Sequence, residues 1–497
     1  MSDKLWLCSW LGLIGGLAAG SCFGEVPSRP EGKRPLAISP LFADGAVIAA
    51  NRPVAVWGSG PPETRVSLSL ADRSVETTID RQGFWEATLP EIAAAISLEL
   101  RVAGAGTIVL KDISVADAEP RIAAIRAGLV DADATPETVA LFHNLRLYAD
   151  RGRTLVGQQD PEVSAVADDG ITDIYRLTGS EPAVWGSDFI HVTDRSNDGS
   201  NSWFVERERA LVDLAVKAYD RGMVNAFCWH ARDPVANAFY VAEISEAERT
   251  GLVSSLLPGG KNHAWYLARL GQMAAIFKRL IGADGKPVPV IFRPFHEFDG
   301  EWFWWGKPFC TAEEYRECWK FTVRHMRDTL GVHNLLYAFS PDIRFDTEEA
   351  FLERYPGDEF VDVIGFDDYY DFETGQIDAA AKRLRLVSDL ARKRGKVAAL
   401  TEIGYRTKPV PPDLFTGVFG KALADPALGV AYMMFWRQDH HSKPPAERIC
   451  FVPTPGSPEA ANFGEFVAGP RPLLLAGIRH LYDTPVLEAS SFAGGGK

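Results

Sequence analysis

The chain has 497 residues, 46% of them hydrophobic and 24% charged, with a formal net charge of −14. That length calls for two or three domains, and the composition excludes a chain dominated by disorder. The acidity excludes nucleic acid as a partner, since phosphates demand a basic face, and it suits a neutral ligand.

In chain order, residues 1–24 predict an export signal. Lys4 is followed by the uncharged run "LWLCSWLGLIGGLAAG" (Leu5 to Gly20) and then by small residues, so the mature protein is expected outside the cytoplasm, either secreted or periplasmic and cell-surface. "AGSC", Ala19 to Cys22, is similar to a bacterial lipoprotein cleavage box but lacks the aliphatic residue three positions before the cysteine. Lipid anchoring at Cys22 is therefore the alternative. No later run is apolar for long enough to span a membrane. Residues 25–35, "EVPSRPEGKRP", form a polar linker without periodicity.

From 36 to 118 short alternating runs predict a small all-β sandwich. "TRVSLSL" puts Val66, Leu68 and Leu70 on one face, "SLELRV" does the same with Leu98, Leu100 and Val102, and Pro and Gly turns separate the runs. "SPLFADGAVIAANRPVAVWGSG" together with "DRQGFWEATLP" resembles the small β-sandwich that opens sialate O-acetylesterase-type proteins. That likeness implies a spacer or packing domain, with sugar binding as the alternative.

From 119 to 497 strand-like and helix-like patterns alternate. Eight apolar runs recur: 154–160, 183–190, 224–230, 288–297, 334–342, 361–370, 397–405 and 429–437. Between them lie helical patterns such as Leu211 to Tyr219, apolar at 211, 214, 215, 218 and 219. Runs that are continuous rather than alternating indicate parallel strands covered on the outside. The expected fold is therefore an α/β (β/α)8 TIM barrel behind the sandwich. A doubly wound open sheet is the runner-up, disfavoured because no glycine-rich phosphate turn follows the first run.

The ends of these runs carry Gln158, Gln159, Asp160, Asp188, His230, His296, Glu297, Asp342, Asp367, Tyr369, Glu402 and Trp436. A barrel gathers the C-terminal ends of its strands at one mouth, so these groups should converge there. Glu297 at the end of the fourth run and Glu402 at the end of the seventh then face each other. Two facing carboxyl groups are what cleavage of a glycosidic bond requires. Trp302, Phe303, Trp304, Trp305, Tyr369, Tyr370 and Trp436 sit just beyond run ends, where aromatic faces stack on the apolar C–H faces of pyranose rings. Core packing accounts for about half of them, Phe303 and one of Trp304 and Trp305 first. The spacing of Cys228, Cys310, Cys318 and Cys450 matches no zinc signature. Cys310 and Cys318 are eight apart, too far on one helix for a disulfide, so they can pair only if Cys310 lies in the preceding loop. His440 and His441 lack a third ligand at sensible spacing and read as loop residues or outer sugar contacts. No metal and no cofactor is expected.

"RPFHEFDGEWFWWG" (Arg293 to Gly306), "VIGFDDYY" and "LTEIGY", in this order on the fourth, sixth and seventh runs, resemble glycoside hydrolase family 26, a group of barrel enzymes dominated by β-1,4-mannanases. The likeness covers roughly 136–485, with echoes in "FCWH", "AFSPD" and "MFWR". It implies a retaining, double-displacement mechanism with Glu297 as acid/base and Glu402 as nucleophile. By the same likeness His296 touches the reacting sugar, Tyr369 hydrogen-bonds the nucleophile, and Arg293 supports Glu402 or forms a plain ion pair. Asp367, His230 and Trp302 line the sugar site next to the cleaved bond, and Trp436 is its stacking platform. Asp299 departs from the commonest pattern, Asn or Thr, and is expected to alter a sugar contact. The substrate implied is a β-1,4-mannan cleaved internally by a monomeric enzyme. β-1,3-xylan and mixed-linkage glucan remain alternatives on this scaffold, and a catalytically idle glycan-binding protein is the alternative outside the enzyme class.

Overall fold

The structure, a computed structural model, describes residues 35–165, 169–200, 202–439, 449, 451–484 and 486–487. The predicted export signal with Cys22, most of the linker, His440, His441 and Cys450 lie outside the described residues.

The N-terminal part consists of β1 (Ala37–Ile38), β2 (Val47–Ala49), β3 (Val54–Ser59), β4 (Arg65–Leu70), β5 (Arg73–Thr78), β6 (Phe84–Leu89), β7 (Ala95–Ala103) and β8 (Thr107–Ala116). β1, β3 and β6 form one sheet, and β2, β8, β7, β4 and β5 lie in that order in a second. Period-two alternation buries one side of each strand. Val56 and Leu89 of the first sheet and Val66, Leu68, Leu70, Leu100 and Val102 of the second are fully buried in one apolar cluster. Leu98 departs from its expected inward place and is only half-buried. The β7–β8 register shifts on both sides of it, next to Ser97 at φ +54°, and a bulge of this kind breaks the alternation.

The barrel strands are β9 (Thr154–Gln159), β10 (Val184–Asp188), β11 (Val224–Trp229), β12 (Val290–Pro294), β13 (Leu335–Phe339), β14 (Val363–Asp368), β15 (Val397–Ile403) and β16 (Tyr432–Phe435). Each pairs in parallel with the next, and β16 pairs back onto β9, which closes the eight-stranded barrel. Helices cover the outside and bury the outward side chains, which is why the strand sequences are apolar throughout. The predicted Leu211 to Tyr219 pattern lies inside the helix Ser202–Asp220. Ala312–Arg324 begins with a capping box, in which Thr311 and Glu314 satisfy each other's amides. Cys310 precedes that helix and Cys318 lies in it, and both are free and buried.

Two short strands complete the fold. β17 (Pro472–Leu473) pairs with the start of β9, and β18 (Val486–Leu487) pairs with β2, so the far end of the chain returns to the N-terminal sheet. The strap leading to β18 is fastened to the helix Pro136–Asp150: the Asn144 side-chain amide donates to the carbonyls of Leu481 and Asp483, and His143 Nε2 meets that of Val486. One apolar cluster runs from the sandwich through this helix to Val184, Val224, Ile291, Leu336, Val363 and Val397 near the N-terminal ends of six barrel strands. The sandwich therefore packs beneath the barrel floor, and the opposite, C-terminal mouth carries the groups described next.

Candidate active site

The strand-four end is built by an unusual stretch of backbone. β12 stops at Pro294, and Phe295 and Glu297 then take φ values of +49° and +50°. Left-handed conformations cost about 1–3 kcal/mol each for residues with a Cβ, so the surroundings must enforce them. Tyr315 OH donates to the Phe295 carbonyl at 2.9 Å, Trp305 Nε1 to that of His296 at 2.8 Å, and the Glu297 amide donates to Ser340 O at 2.9 Å. Two of the aromatic residues thus hold the backbone that presents the acid. Glu297 therefore lies beyond the strand, in the loop, rather than closing it.

The strand-seven end uses a bulge. The β14–β15 register runs Phe366 opposite Leu400 and then Asp367 opposite Glu402, so Thr401 is extra. A bulge re-aims side chains, and here both Thr401 and Glu402 reach the Asp367 and Arg293 cluster. Gly365 permits this, because a Cβ there would lie 2.5 Å from Thr401 Cγ2.

Around Glu402 the donors converge. Arg293 Nη2 donates to Oε2 at 2.5 Å and Tyr369 OH to Oε1 at 2.7 Å. Arg293 Nη1 also reaches Asp367 Oδ2 at 2.6 Å and Ser340 Oγ at 3.2 Å, while Thr401 Oγ1 donates to Asp367 Oδ1 at 2.7 Å. Burial alone would discharge Arg293, but Asp367 and Glu402 hold its charge firmly. Burial, then the neighbouring Glu402, pushes the Tyr369 phenol well up, so it stays a donor. One ring nitrogen of His296 and an oxygen each of Asp367 and Glu402 lie within 4.8 Å of one another. Such a trio has metal-ligand character, but the guanidinium of Arg293 already sits on both carboxylates as their cation. Burial, followed by Arg293 and His230, holds the His296 ring well below the usual histidine range, so it is neutral.

Glu297 has different company. Its side-chain partner is the neutral indole N–H of Trp302. Burial, with Asp342, Glu402 and Asp367 nearby, pushes its carboxyl well above the ordinary range, and Arg293 offsets only part of this. One carboxyl group thus retains its proton beside another that is ringed by donors, the division that acid and nucleophile roles require.

The aromatic surface is made by fewer rings than expected. Phe303, Trp304 and Trp305 are all buried, because both indoles are spent on backbone carbonyls, Trp304 on Ala231 and Trp305 on His296. Tyr370 stands exposed beside the mouth. Trp302 and Trp436 are half-buried and present faces to the mouth, Trp302 beneath the Arg344 guanidinium at 5.4 Å. The His230 ring lies 5.7 Å from Trp436 and 4.6 Å from His296, between centroids. All of the expected site residues, Glu297, Glu402, His230, Arg293, His296, Trp302, Asp367, Tyr369 and Trp436, belong to this one connected cluster.

Residues 130–413 match the family model for glycosyl hydrolase family 26, more than half of the chain. The chain belongs to glycosyl hydrolase family 26. It is 35% identical over 324 residues to a mannan endo-1,4-β-mannosidase of Bifidobacterium adolescentis, covering 62% of this chain and 31% of that protein. The chain thus spans about a third of the length of that curated relative. Among solved structures, a family 26 protein from Muricauda sp. is 44% identical with a TM-score of 0.69, covering 72% of this chain and 97% of that one. A family 26 β-mannanase from Bacteroides ovatus is 30% identical with a TM-score of 0.63, covering 70% and 98%.

Within this family 26 barrel, several contributors were not singled out in the sequence. Ser340 and Thr401 support Arg293 and Asp367, Arg406 lies over the Tyr369 ring at 4.6 Å, and Phe451 packs on its edge. Thr401 was adjacent to a flagged glutamate, but only the bulge brings both inward. Asp299 corrects an expectation. Its two oxygens accept the amides of Asp342 at 2.6 Å and Arg344 at 3.0 Å, so it pins the loop after β13 and has no oxygen idle for a sugar.

Proposed function

We propose that the chain is a retaining endo-β-1,4-mannanase, with Glu297 as acid/base and Glu402 as nucleophile. The observation that carries this is the contrast between the two carboxyl groups: Glu402 takes hydrogen bonds from Arg293 and Tyr369, whereas Glu297 is pushed toward its protonated form beside a neutral donor. In the first step a Glu402 oxygen attacks the anomeric carbon while Glu297 gives its proton to the departing glycosidic oxygen. Tyr369 and Arg293 aim the attacking carboxylate. The second step has Glu297, now ionised, take a proton from water. That water attacks the anomeric carbon and releases Glu402, leaving a product of unchanged anomeric configuration. His296, neutral at neutral pH, His230, Asp367, Trp302 and Trp436 form the sugar site at the cleavage point, Trp436 as its stacking face.

Mannan as the substrate is supported by the names of the relatives, and internal cleavage by the same. Reducing-end release should be measured on β-1,4-mannan, β-1,3-xylan and mixed-linkage glucan. Preference for mannan with early release of oligosaccharides is the expected result, and preference for either other polymer overturns the specificity. Residues 1–24 are proposed to export the protein, with anchoring at Cys22 as the alternative. The 36–118 sandwich, similar in sequence to that of sialate O-acetylesterase-type proteins, is proposed as a packing domain for residues 119–497. The enzyme is proposed to act as a monomer.

A further inference from the structure

Asp188 ends β10 and His230 follows β11, the neighbouring strand, with Asp188 in register with Cys228. Every acceptor site of this carboxylate that has a partner serves local geometry. Oδ1 accepts the amides of Ile190 at 3.0 Å and His230 at 3.1 Å, and Oδ2 faces His230 Nδ1 at 2.6 Å. His230 is thus gripped twice by one side chain, at its backbone and at its ring. Its ring packs edge-on against His296, Phe239 and Phe303 and tilted against Trp436. No described residue takes Nε2. An ionised carboxylate can only accept, so whenever the imidazole is neutral its one proton must lie on Nδ1 and Nε2 must present a lone pair.

We propose that Asp188 is a positioning residue that fixes the orientation and tautomer of His230, so that Nε2 accepts a hydrogen bond from a hydroxyl of the sugar at the cleavage point. The proposal rests on the reading of His230 as a sugar contact. Asp188 is suited to the task because, although burial opposes its charge, His230 holds it below the ordinary carboxylate range. The chemistry parallels the carboxylate that sets the tautomer of a catalytic histidine in serine proteases.

Asp188→Asn separates this role from simple support of the fold. The amide oxygen in the Oδ1 position keeps both backbone amides, while the NH2 group replaces Oδ2 and can only donate to Nδ1. The proton is thereby driven to Nε2, turning an acceptor into a donor. In protein labelled with 15N-histidine, the His230 signals, assigned by their loss in His230→Gln, should show Nδ1 protonated in the wild type and Nε2 protonated in Asp188→Asn. The expected loss in kcat/KM is roughly 10–100-fold, the range seen when the partner orienting a ligating histidine is changed. The melting temperature should be nearly unchanged. In a His230→Gln background the same substitution should cost nothing further. An unchanged tautomer in Asp188→Asn overturns the proposal, as does an equal loss of kcat/KM in both backgrounds. A wild-type protein that cleaves no glycan would instead sink the functional reading, and the tautomer measurement would still decide what Asp188 does to His230.

Discussion

Two glutamates at one barrel mouth are handled in opposite ways. Glu402 sits within a regular strand whose single bulge turns it toward Arg293 and Tyr369. Glu297 sits past the end of its strand, on backbone bent into the left-handed region, with an indole as its partner and three carboxyl groups nearby. Identical side chains acquire different chemistry because one is given donors and a cation and the other is given burial and like charge. Removing the features that separate them should therefore have graded consequences.

The largest effect is expected from Glu402→Ala. With no group left to form the covalent intermediate, kcat should fall about 10⁴-fold or more on every substrate, including those with activated leaving groups. Glu297→Ala should cost about 10²–10⁴-fold on polysaccharide but far less on aryl glycosides that need no protonation. Added azide should raise its rate and yield a β-glycosyl azide. If azide rescues Glu402→Ala to a β-product instead, the two roles are exchanged.

Tyr369→Phe sharpens the comparison by removing one donor from Glu402 without removing charge. A hydrogen bond to a charged group contributes about 1.5–3 kcal/mol, so a loss of roughly 10–100-fold in kcat is expected. Steady-state kinetics with unchanged KM would fit a role in the transition state.

The smallest effect lies in stability. The Glu297 pKa is raised in the folded protein, so folding holds its proton over a pH range where the unfolded chain has released it. Stability from this group is present at pH values below the unfolded glutamate range and is lost as pH rises through the raised folded value. Glu297→Gln has no such dependence. Its melting temperature should therefore exceed that of the wild type by a few °C at neutral pH, with the gap closing near pH 4. The same protonation predicts that wild-type kcat/KM falls as pH rises through the Glu297 pKa. A melting gap that is flat with pH contradicts a raised value.

Much of this contrast could be read from sequence, because continuous apolar runs ending in polar groups locate strands and their mouth. The eight barrel strands fall within the runs that predict them. What could not be read depends on departures from regular period. The bulge at Thr401, the left-handed residues at Phe295 and Glu297 and the irregularity beside Leu98 leave no periodic trace. Asp188 was visible as a strand-end acid, but its partner lies across a strand pair and is known only from register. Asp299 looked like a ligand contact because it interrupts a site motif, yet it fastens backbone. The return of Val486–Leu487 to the first sheet is too short a pattern to announce itself.

The most direct test of the account is to trap the intermediate with a 2-deoxy-2-fluoro-β-mannosyl fluoride and map the labelled peptide by mass spectrometry. The account predicts one added glycosyl group, as an ester on Glu402. A label on Glu297, or no label while the same reagent is turned over to an α-configured product, would contradict it.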